Sequence, residues 1–308
     1  MLTDSPFISI IIPVHGRSTA GHPLHWCLYW IAAQTYPHYE VIVVNDGGSS
    51  ELAGICAQYG FCRYYEQPWS GSYAARNLGA SVARGDLLVF TDSDCQPVVI
   101  WLAEIVKAMR SSQRSGTYDF IAGHIQFFYQ AETPTLIELA DSIVHLQQEQ
   151  YVSLGYGATA NLAIPRAAFA RVGTFANVLS LGDKDWGQRA THLGYKIGFA
   201  PTAIVRHPAR STASALFKKL ALQARHQPFC WQEIGAIAGL MPIENYRAVW
   251  QDTRCPGLLR KLRFIGLLHG LRWFTVIVRL YHEILRRCPR WFRATATRPG
   301  RPAAAVQR

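Results

Sequence analysis

The 308-residue sequence predicts an α/β protein: a mostly parallel central sheet with flanking helices, followed by a basic amphipathic helical extension. Three observations carry this. Four apolar, β-branched runs alternate with helical patterns over the first third of the chain, the signature of parallel strands buried on both faces. Apolar residues make up 49% and charged residues 17%, which supports a sizeable core and excludes wholesale disorder. The net charge of +11 is lodged at one end. From Arg254 onward thirteen Lys/Arg face one acid, Glu283, whereas residues 1–253 carry 18 Lys/Arg against 19 acids. A body so nearly neutral argues against a chain that binds nucleic acid over its whole surface.

The elements follow in order. FISIIIPV (7–14) predicts the first strand and is too short for a signal-peptide core with its flanks. LHWCLYWIAAQ (24–34) predicts a helix, YEVIVVND (39–46) the second strand, and ELAGICAQYG (51–60) a helix stopped by Gly60. FCRYYEQ (61–67) is the third strand, before a helix around YAARNLGASVA (73–83). DLLVFTD (86–92) is the fourth, before the helix VIWLAEIVKAMRSS (99–112). DFIAGHIQFFYQ (119–130) predicts a strand, TLIELADSIVHLQQEQ (135–150) one helix, and ATANLAIPRAAFARVGTF (158–175) strand, turn and short helix. GDKDWGQRATHLG (182–194) predicts a helix capped by Asp183 and ended by Gly194; YKIGFAPTAIVRHPAR (195–210) predicts two short strands. Helical patterns then continue to about residue 292, and the low-complexity tail 293–308 is expected to be disordered. The seven cysteines form no CxxC pair, which fits reduced thiols in the cytoplasm.

In parallel sheets ligands bind beyond the carboxyl ends of the strands. Here those ends read PVHGR, NDGGSS and TDSDC, so three candidate loops should converge. Asp92 and Asp94, two apart in an extended segment, face the same way. The pair is either a solvated turn or a seat for a divalent cation and a diphosphate. Asp46, before two glycines, can accept from a nucleobase N–H or simply close a turn. Arg76 can reach phosphate from the start of its helix, or lie on the surface. Asp183 and Asp185 sit at the start of a helix, where a carboxylate serves as general base, as N-cap, or both. His207 is either a third metal ligand or a structural histidine.

Taken together in this order, SIIIPVHGR, QTYPHYEVIVVNDGGSS, AARNLGASVARGDLLVFTDSDC, GATANLAIPRAAFARVGTF and GDKDWGQRATHLGYKIGFAPTAIVRHPAR resemble the inverting, nucleotide-sugar-dependent glycosyltransferases of family two, from about Ile8 to Arg210. The resemblance implies a GT-A, Rossmann-like catalytic domain over 1–210. Its nucleotide-binding half would be 1–112 and its acceptor and base half 113–210, with a helical extension over 211–292. It implies that Pro13, Val14 and His15 border the nucleobase and that Asp46 hydrogen-bonds it. Arg76, Asp92 and Ser93 would meet the donor. Asp94, Asp92 and His207 would hold Mn²⁺ or Mg²⁺. Asp183 would be the catalytic base, and Trp186 and Asp185 would line the acceptor site. The donor would be a nucleotide-diphosphate sugar, with a UDP-sugar expected, and the acceptor a glycan or lipid-linked hydroxyl.

There are departures. Gly182 stands where the family often has Glu, and Asn45 where Asp is common. The Gln-x-x-Arg-Trp signature of processive synthases is absent, which favours single-sugar transfer. No stretch offers eighteen uncharged apolar residues, so no certain membrane span is expected. The basic, aromatic-bearing segment 254–293 is instead expected on an anionic membrane surface at the inner face of the cell membrane, the alternative being an extension packed on the core. Two other functions fit the sequence less well. A nucleotidyltransferase of similar fold would want a Gly-rich basic first loop, which PVHGR does not provide. A nucleic-acid-binding protein acting through the tail is disfavoured by the neutral body, and no nucleic-acid partner is expected.

Overall fold

The computed structural model describes residues 5–16, 22–227 and 243–287; the tail expected to be disordered lies outside them. The chain divides into two compact units, Met1–Leu216 and Phe217–Arg308.

The first unit is built on an eight-stranded sheet in the order β3-β2-β1-β4-β7-β6-β8-β5. β1 (Ile8–Val14), β2 (Tyr39–Asp46), β3 (Cys62–Gln67) and β4 (Leu87–Thr91) are parallel to one another. β7 (Asn161–Pro165) runs antiparallel between β4 and β6 (Phe120–Phe128). β8 (Ile197–Pro208) is parallel to β6, and the two-residue β5 (Gln96–Pro97) is antiparallel to β8. Alternation along the strands divides the core. Ile8, Ile10, Ile12, Val41, Val43, Leu87 and Val89 face α1 (Pro23–Ala32), α2 (Leu52–Cys56) and α4 (Trp101–Ser115). Ile11, Ile42, Val44, Leu88 and Phe90 face α3 (Ser72–Val82), α7 (Arg166–Val172) and α8 (Gly182–His192).

The structure refines several predicted elements. The helix predicted over 135–150 is two, α5 (Leu136–Val144) and α6 (Gln148–Ser153). Between them Leu146 adopts a left-handed φ of 55°. The Gln147 amide donates to the carbonyls of Ser142 and His145, ending α5 with side-chain bonds. β7 runs straight into α7, with Pro165 as the N-cap of α7 and no turn between them. Asp183 is not the N-cap of α8. That position is Leu181, in the left-handed region at φ 65°, and Asp183 lies inside the first turn.

The two strands predicted over 195–210 are one irregular strand. Gly123 pairs with Ala200 but His124 pairs with Ile204, so β8 carries three extra residues, 201–203. Asn161, wholly buried, pins this irregularity. Its amide donates to the carbonyls of His124 and Ala203, at 2.8 Å each, and accepts from the Trp101 indole N–H at 2.9 Å. A Cβ on Gly123 would lie 2.3 Å from the Asn161 amide nitrogen, so glycine is required there.

α9 (Ala213–Arg225) carries the boundary between the units. The second unit contains α10 (Ile243–Gln251) and α11 (Leu258–Arg287). Tyr246 of α10 hydrogen-bonds His269 of α11 at 2.8 Å, and Phe217 meets Phe274 edge to face. Arginines punctuate the α11 sequence, yet as one 30-residue helix it is long and apolar enough, by length and composition, to cross a membrane. Trp273, Ile277, Tyr281 and Ile284, at helical spacing, present an exposed apolar stripe.

Replacing Asn161 with alanine strands one indole N–H and two carbonyls in the core. At about 1–3 kcal/mol per unsatisfied group, urea denaturation should show a loss of at least about 3 kcal/mol. A loss under about 1 kcal/mol would show that Asn161 does not hold this region together.

Candidate active site

Asp46 ends β2 in a buried position, and its carboxylate organises the next loop. Oδ1 accepts from the Ser70 N–H and the Gln67 amide, and Oδ2 from the Gly71 N–H, all at 2.8 Å. These bonds set the start of α3. The preceding Asn45 closes the turn: its Oδ1 accepts from the Gly48 N–H, and its amide donates to the Gly48 and Ser49 carbonyls and the Tyr64 hydroxyl. An aspartate could accept but not donate there, which accounts for the amide. His15 is exposed, its Nδ1 on the Asp46 carbonyl at 2.7 Å, and the Ser49 N–H donates to the Gly16 carbonyl. The first two loops therefore meet. Pro13 and Val14 are buried at the end of β1, so of the three residues expected at the base only His15 offers surface.

The third loop joins them. Arg76 of α3 is buried, lies 5.2 Å over the Tyr73 ring and pairs with the Asp92 carboxylate. The predicted phosphate-reaching arginine is thus held by the first aspartate of the DxD. Ser93 lies half-buried between the two aspartates. Asp94 Oδ1 is 3.8 Å from His207 Nε2. One ligand atom each from Asp92, Asp94, Cys95 and His207 all fall within 4.8 Å of one another. Residues more than a hundred positions apart meet because β5 pairs with β8: Gln96 lies opposite Arg206, which leaves His207 alongside Asp94 and Cys95.

The donor chemistry sorts this cluster. His207 Nδ1 lies 2.8 Å from the Pro208 carbonyl, which can only accept, so Nδ1 carries a hydrogen and Nε2 is the ring nitrogen turned toward Asp94. Burial and the two aspartates push the Cys95 thiol far up, so it stays protonated and is no ligand for a hard cation. Desolvation raises the Asp94 carboxyl; His207 pulls it down and Asp92 pushes it further up. The Asp94 side chain keeps 40% of its surface, so solvent screens these interactions and the shift is smaller than full enclosure would give. Two carboxylates and one oriented imidazole fit a divalent metal of the Mn²⁺ or Mg²⁺ type.

Asp183 lies half-buried in the first turn of α8. Its Oδ2 accepts from the Thr159 N–H at 3.2 Å and its Oδ1 from the Lys184 N–H at 2.9 Å. Three tyrosines surround it. Burial first, and then the Asp183 charge among other neighbours, hold the Tyr73, Tyr151 and Tyr156 hydroxyls above their ordinary range. Asp185 points away and pairs with Arg189 at 2.9 Å. The acceptor role expected of Trp186 is corrected. Its side chain is wholly buried, its indole N–H donates to the Gly173 carbonyl, and it packs on Phe120 and Phe169, so it has no surface for an acceptor.

Sequence reasoning passed over several neighbours. Asp141, wholly buried, accepts from His145 at 2.7 Å and from the backbone and guanidinium of Arg210 at 2.9 and 3.0 Å. Arg210 in turn opposes, as a minor contribution, the burial that raises the Asp94 carboxyl. A lone Asp within a helical pattern and an Arg after a strand carry no signal until folding pairs them.

The chain has the fold of solved glycosyltransferases. It superposes on the mannosyltransferase PcManGT from Pyrobaculum calidifontis, solved with GDP-Man and Mn²⁺, with a TM-score of 0.54 at 14% identity, over 96% of this chain and 77% of that one. It also superposes on TarS from S. aureus, with a TM-score of 0.53 at 15% identity, over 90% of this chain and 55% of that one. In sequence it is 34% identical over 229 residues to glycosyltransferase AglE of Haloferax volcanii, 71% of this chain and 72% of that protein. A shorter match, 34% identical over 98 residues, is to the uncharacterized glycosyltransferase YibD of Escherichia coli, covering 30% of this chain and 28% of that one. The protein is a glycosyltransferase of the GT-A type. Residues 9–176 match the model for glycosyl transferase family 2, and the chain belongs to that family.

Burial alone would raise the Asp141 carboxyl, but His145 and Arg210 outweigh it and hold it below the usual carboxylate range. A depressed carboxyl contributes stability that is present above its unfolded pKa and lost as pH falls through the folded one. Asp141→Asn should therefore lower the urea midpoint at pH 7, and the gap to wild type should close on acidification. A gap that does not change with pH would refute this linkage.

Proposed function

We propose that this glycosyltransferase moves one sugar, with inversion, from a nucleotide-diphosphate sugar to a hydroxyl of a glycan or lipid-linked acceptor in envelope polysaccharide or glycolipid synthesis. The convergence of Asp92, Asp94 and His207 within 4.8 Å supports it most directly. These residues would hold Mn²⁺ or Mg²⁺, and the imidazole nitrogen tilts the set toward Mn²⁺. A cation bound there supplies Lewis-acid stabilisation of the departing diphosphate.

The remaining steps fall to the chain's own groups. His15, with Asp46 behind it, borders the base, and a UDP-sugar is the expected donor. Arg76 holds Asp92 and adds positive charge beside the phosphates. Asp183, oriented by two backbone N–H groups, takes the proton of the acceptor hydroxyl as its oxygen attacks the anomeric carbon. The bond from that carbon to the diphosphate oxygen breaks on the opposite face. One displacement inverts the centre and needs one carboxylate at the sugar, whereas a hydrolase flanks its bond with two.

We also assign a membrane-surface role to α11, with the protein on the cytoplasmic face. Its apolar stripe at 273, 277, 281 and 284 accompanies arginines at 272, 279 and 286, a seven-residue repeat. Lying flat would seat that stripe at the headgroup boundary, with Arg272 and Arg279 on the opposite side of the helix. Crossing would carry Arg272 and Arg279 into hydrocarbon at about 2.5–3.5 kcal/mol each at the centre of the span.

Asp183→Asn should lower turnover by about 10²–10⁴-fold and leave UDP or GDP binding in place, as judged by thermal shift with Mn²⁺. Asp94→Ala and His207→Ala should each remove the Mn²⁺-dependent part of that shift. Full turnover in Asp183→Asn would move the base to Asp185 or sink the assignment. Screening UDP-glucose, UDP-N-acetylglucosamine and GDP-mannose for Mn²⁺-dependent release of nucleotide tests the donor. For the membrane, the Trp273→Ser/Ile277→Ser/Tyr281→Ser protein should lose flotation with phosphatidylglycerol vesicles; flotation equal to wild type refutes the surface role.

A further inference from the structure

We propose that Trp69 selects the donor by stacking on the face of its nucleobase, from a loop that the Asp46 carboxylate holds in place. This rests on the donor being a nucleotide-diphosphate sugar. Trp69 lies in the loop between β3 and α3 and is 60% exposed, although apolar rings of this size are usually covered. Among the described residues its indole N–H has no protein hydrogen-bond partner and its ring no aromatic neighbour.

The backbone beneath that ring is fixed from both sides. The Asp46 carboxylate accepts from the Gln67 amide before it and from the Ser70 and Gly71 N–H groups after it, all at 2.8 Å. The Gly47 N–H donates to the Gln67 carbonyl at 2.9 Å, and the Ser70 hydroxyl to the Pro68 carbonyl at 2.8 Å. Gly47, at a left-handed φ of 70°, lies against Trp69 itself: a Cβ there would be 2.8 Å from the Trp69 Cβ and backbone nitrogen. A Cβ on Gly48 would be equally close to the backbone of Gly16. The two glycines thus let the loops after β1, β2 and β3 meet. His15 sits on the Asp46 carbonyl at 2.7 Å, and Trp69 packs on the residue that follows. Only the two side-chain torsions of Trp69 remain to be ordered when a base settles on the ring.

Asp46 itself has almost nothing left to offer a base. Its carboxylate already holds three donors, and the residue is 3% exposed. Recognition therefore falls to the exposed rings on either side of it in sequence, His15 and Trp69. Every purine and pyrimidine presents a flat π-face, so an indole takes a base of any identity. A diphosphate has no such face and is left to the cation held by Asp92, Asp94 and His207. Trp69 thus selects for the presence of a base: a donor whose phosphate is joined to a lipid gains nothing from stacking there.

The test compares full-length wild type, Trp69→Ala and Trp69→Phe by calorimetry with Mn²⁺ present. The probes are UDP, GDP, CDP, ADP and dTDP, and inorganic pyrophosphate, which has no base. Trp69→Ala weakens each nucleoside diphosphate that wild type binds by roughly 5- to 150-fold, the worth of one stacked base. Trp69→Phe, which keeps an aromatic face, recovers most of that loss, and all three proteins bind pyrophosphate alike. In release of nucleotide from the nucleotide sugar that wild type uses, Trp69→Ala raises donor KM and keeps kcat. Unchanged nucleotide affinity in Trp69→Ala, or a Trp69→Phe protein no better than Trp69→Ala, overturns the stacking and leaves the nucleotide-sugar donor standing. An equal loss of pyrophosphate shows a displaced loop and overturns it as well. Wild type that takes up no nucleoside diphosphate refutes the nucleotide donor itself, and the role of Trp69 falls with it.

Discussion

The site depends on one buried amide. Asn161 bonds to β6, to β8 and to α4 at the point where β8 takes up three residues that β6 does not match. Were those three residues paired in regular register, Phe127 would face Ile204 and not His207, and the imidazole would be displaced from the DxD loop by about 10 Å, three residues of strand. An amide suits this position because it both donates and accepts. The two interrupted carbonyls need donors, and the indole N–H needs an acceptor. Gly123 is the steric counterpart, since any side chain there would collide with Asn161.

A second chain of constraint runs through α3. Asp46 at the end of β2 holds the residues that begin α3, and α3 carries Tyr73, Arg76 and Asn77. Through Arg76 and Asn77 it touches the first aspartate of the DxD and the loop before α8, and the Tyr73 ring packs against Gly182, beside Asp183. Groups drawn from distant stretches of sequence are thus fixed by one short helix. The charges around them are arranged to be tolerated: Arg76 offsets Asp92, Arg210 and His145 offset Asp141, and His207 faces Asp94. That arrangement suits a site whose substrate is a polyanion held through a divalent cation.

What was legible in the sequence was whatever depends on local pattern. Strands β1 to β4 and the helices among them follow from apolar alternation bounded by Gly and polar turns, and the structure matches them within a few residues, α2 apart. The break between α5 and α6 was not legible, because it is made by side-chain caps on a run whose helical spacing is continuous. Nor was the burial of Trp186. A Trp beside two acidic residues looks like a site residue until α7 and β6 close over it.

The sequence by itself determined the family, the loops at the strand ends and the residue types able to hold a cation or accept a proton. Those follow from motifs a few residues long, each of which specifies its own geometry. Only the tertiary structure decided that Asp94 and His207 are neighbours, because that rests on a strand register set by Asn161. It alone paired Tyr73 with Gly182 and Asp141 with Arg210, since contacts across such separations come from packing that no local pattern encodes.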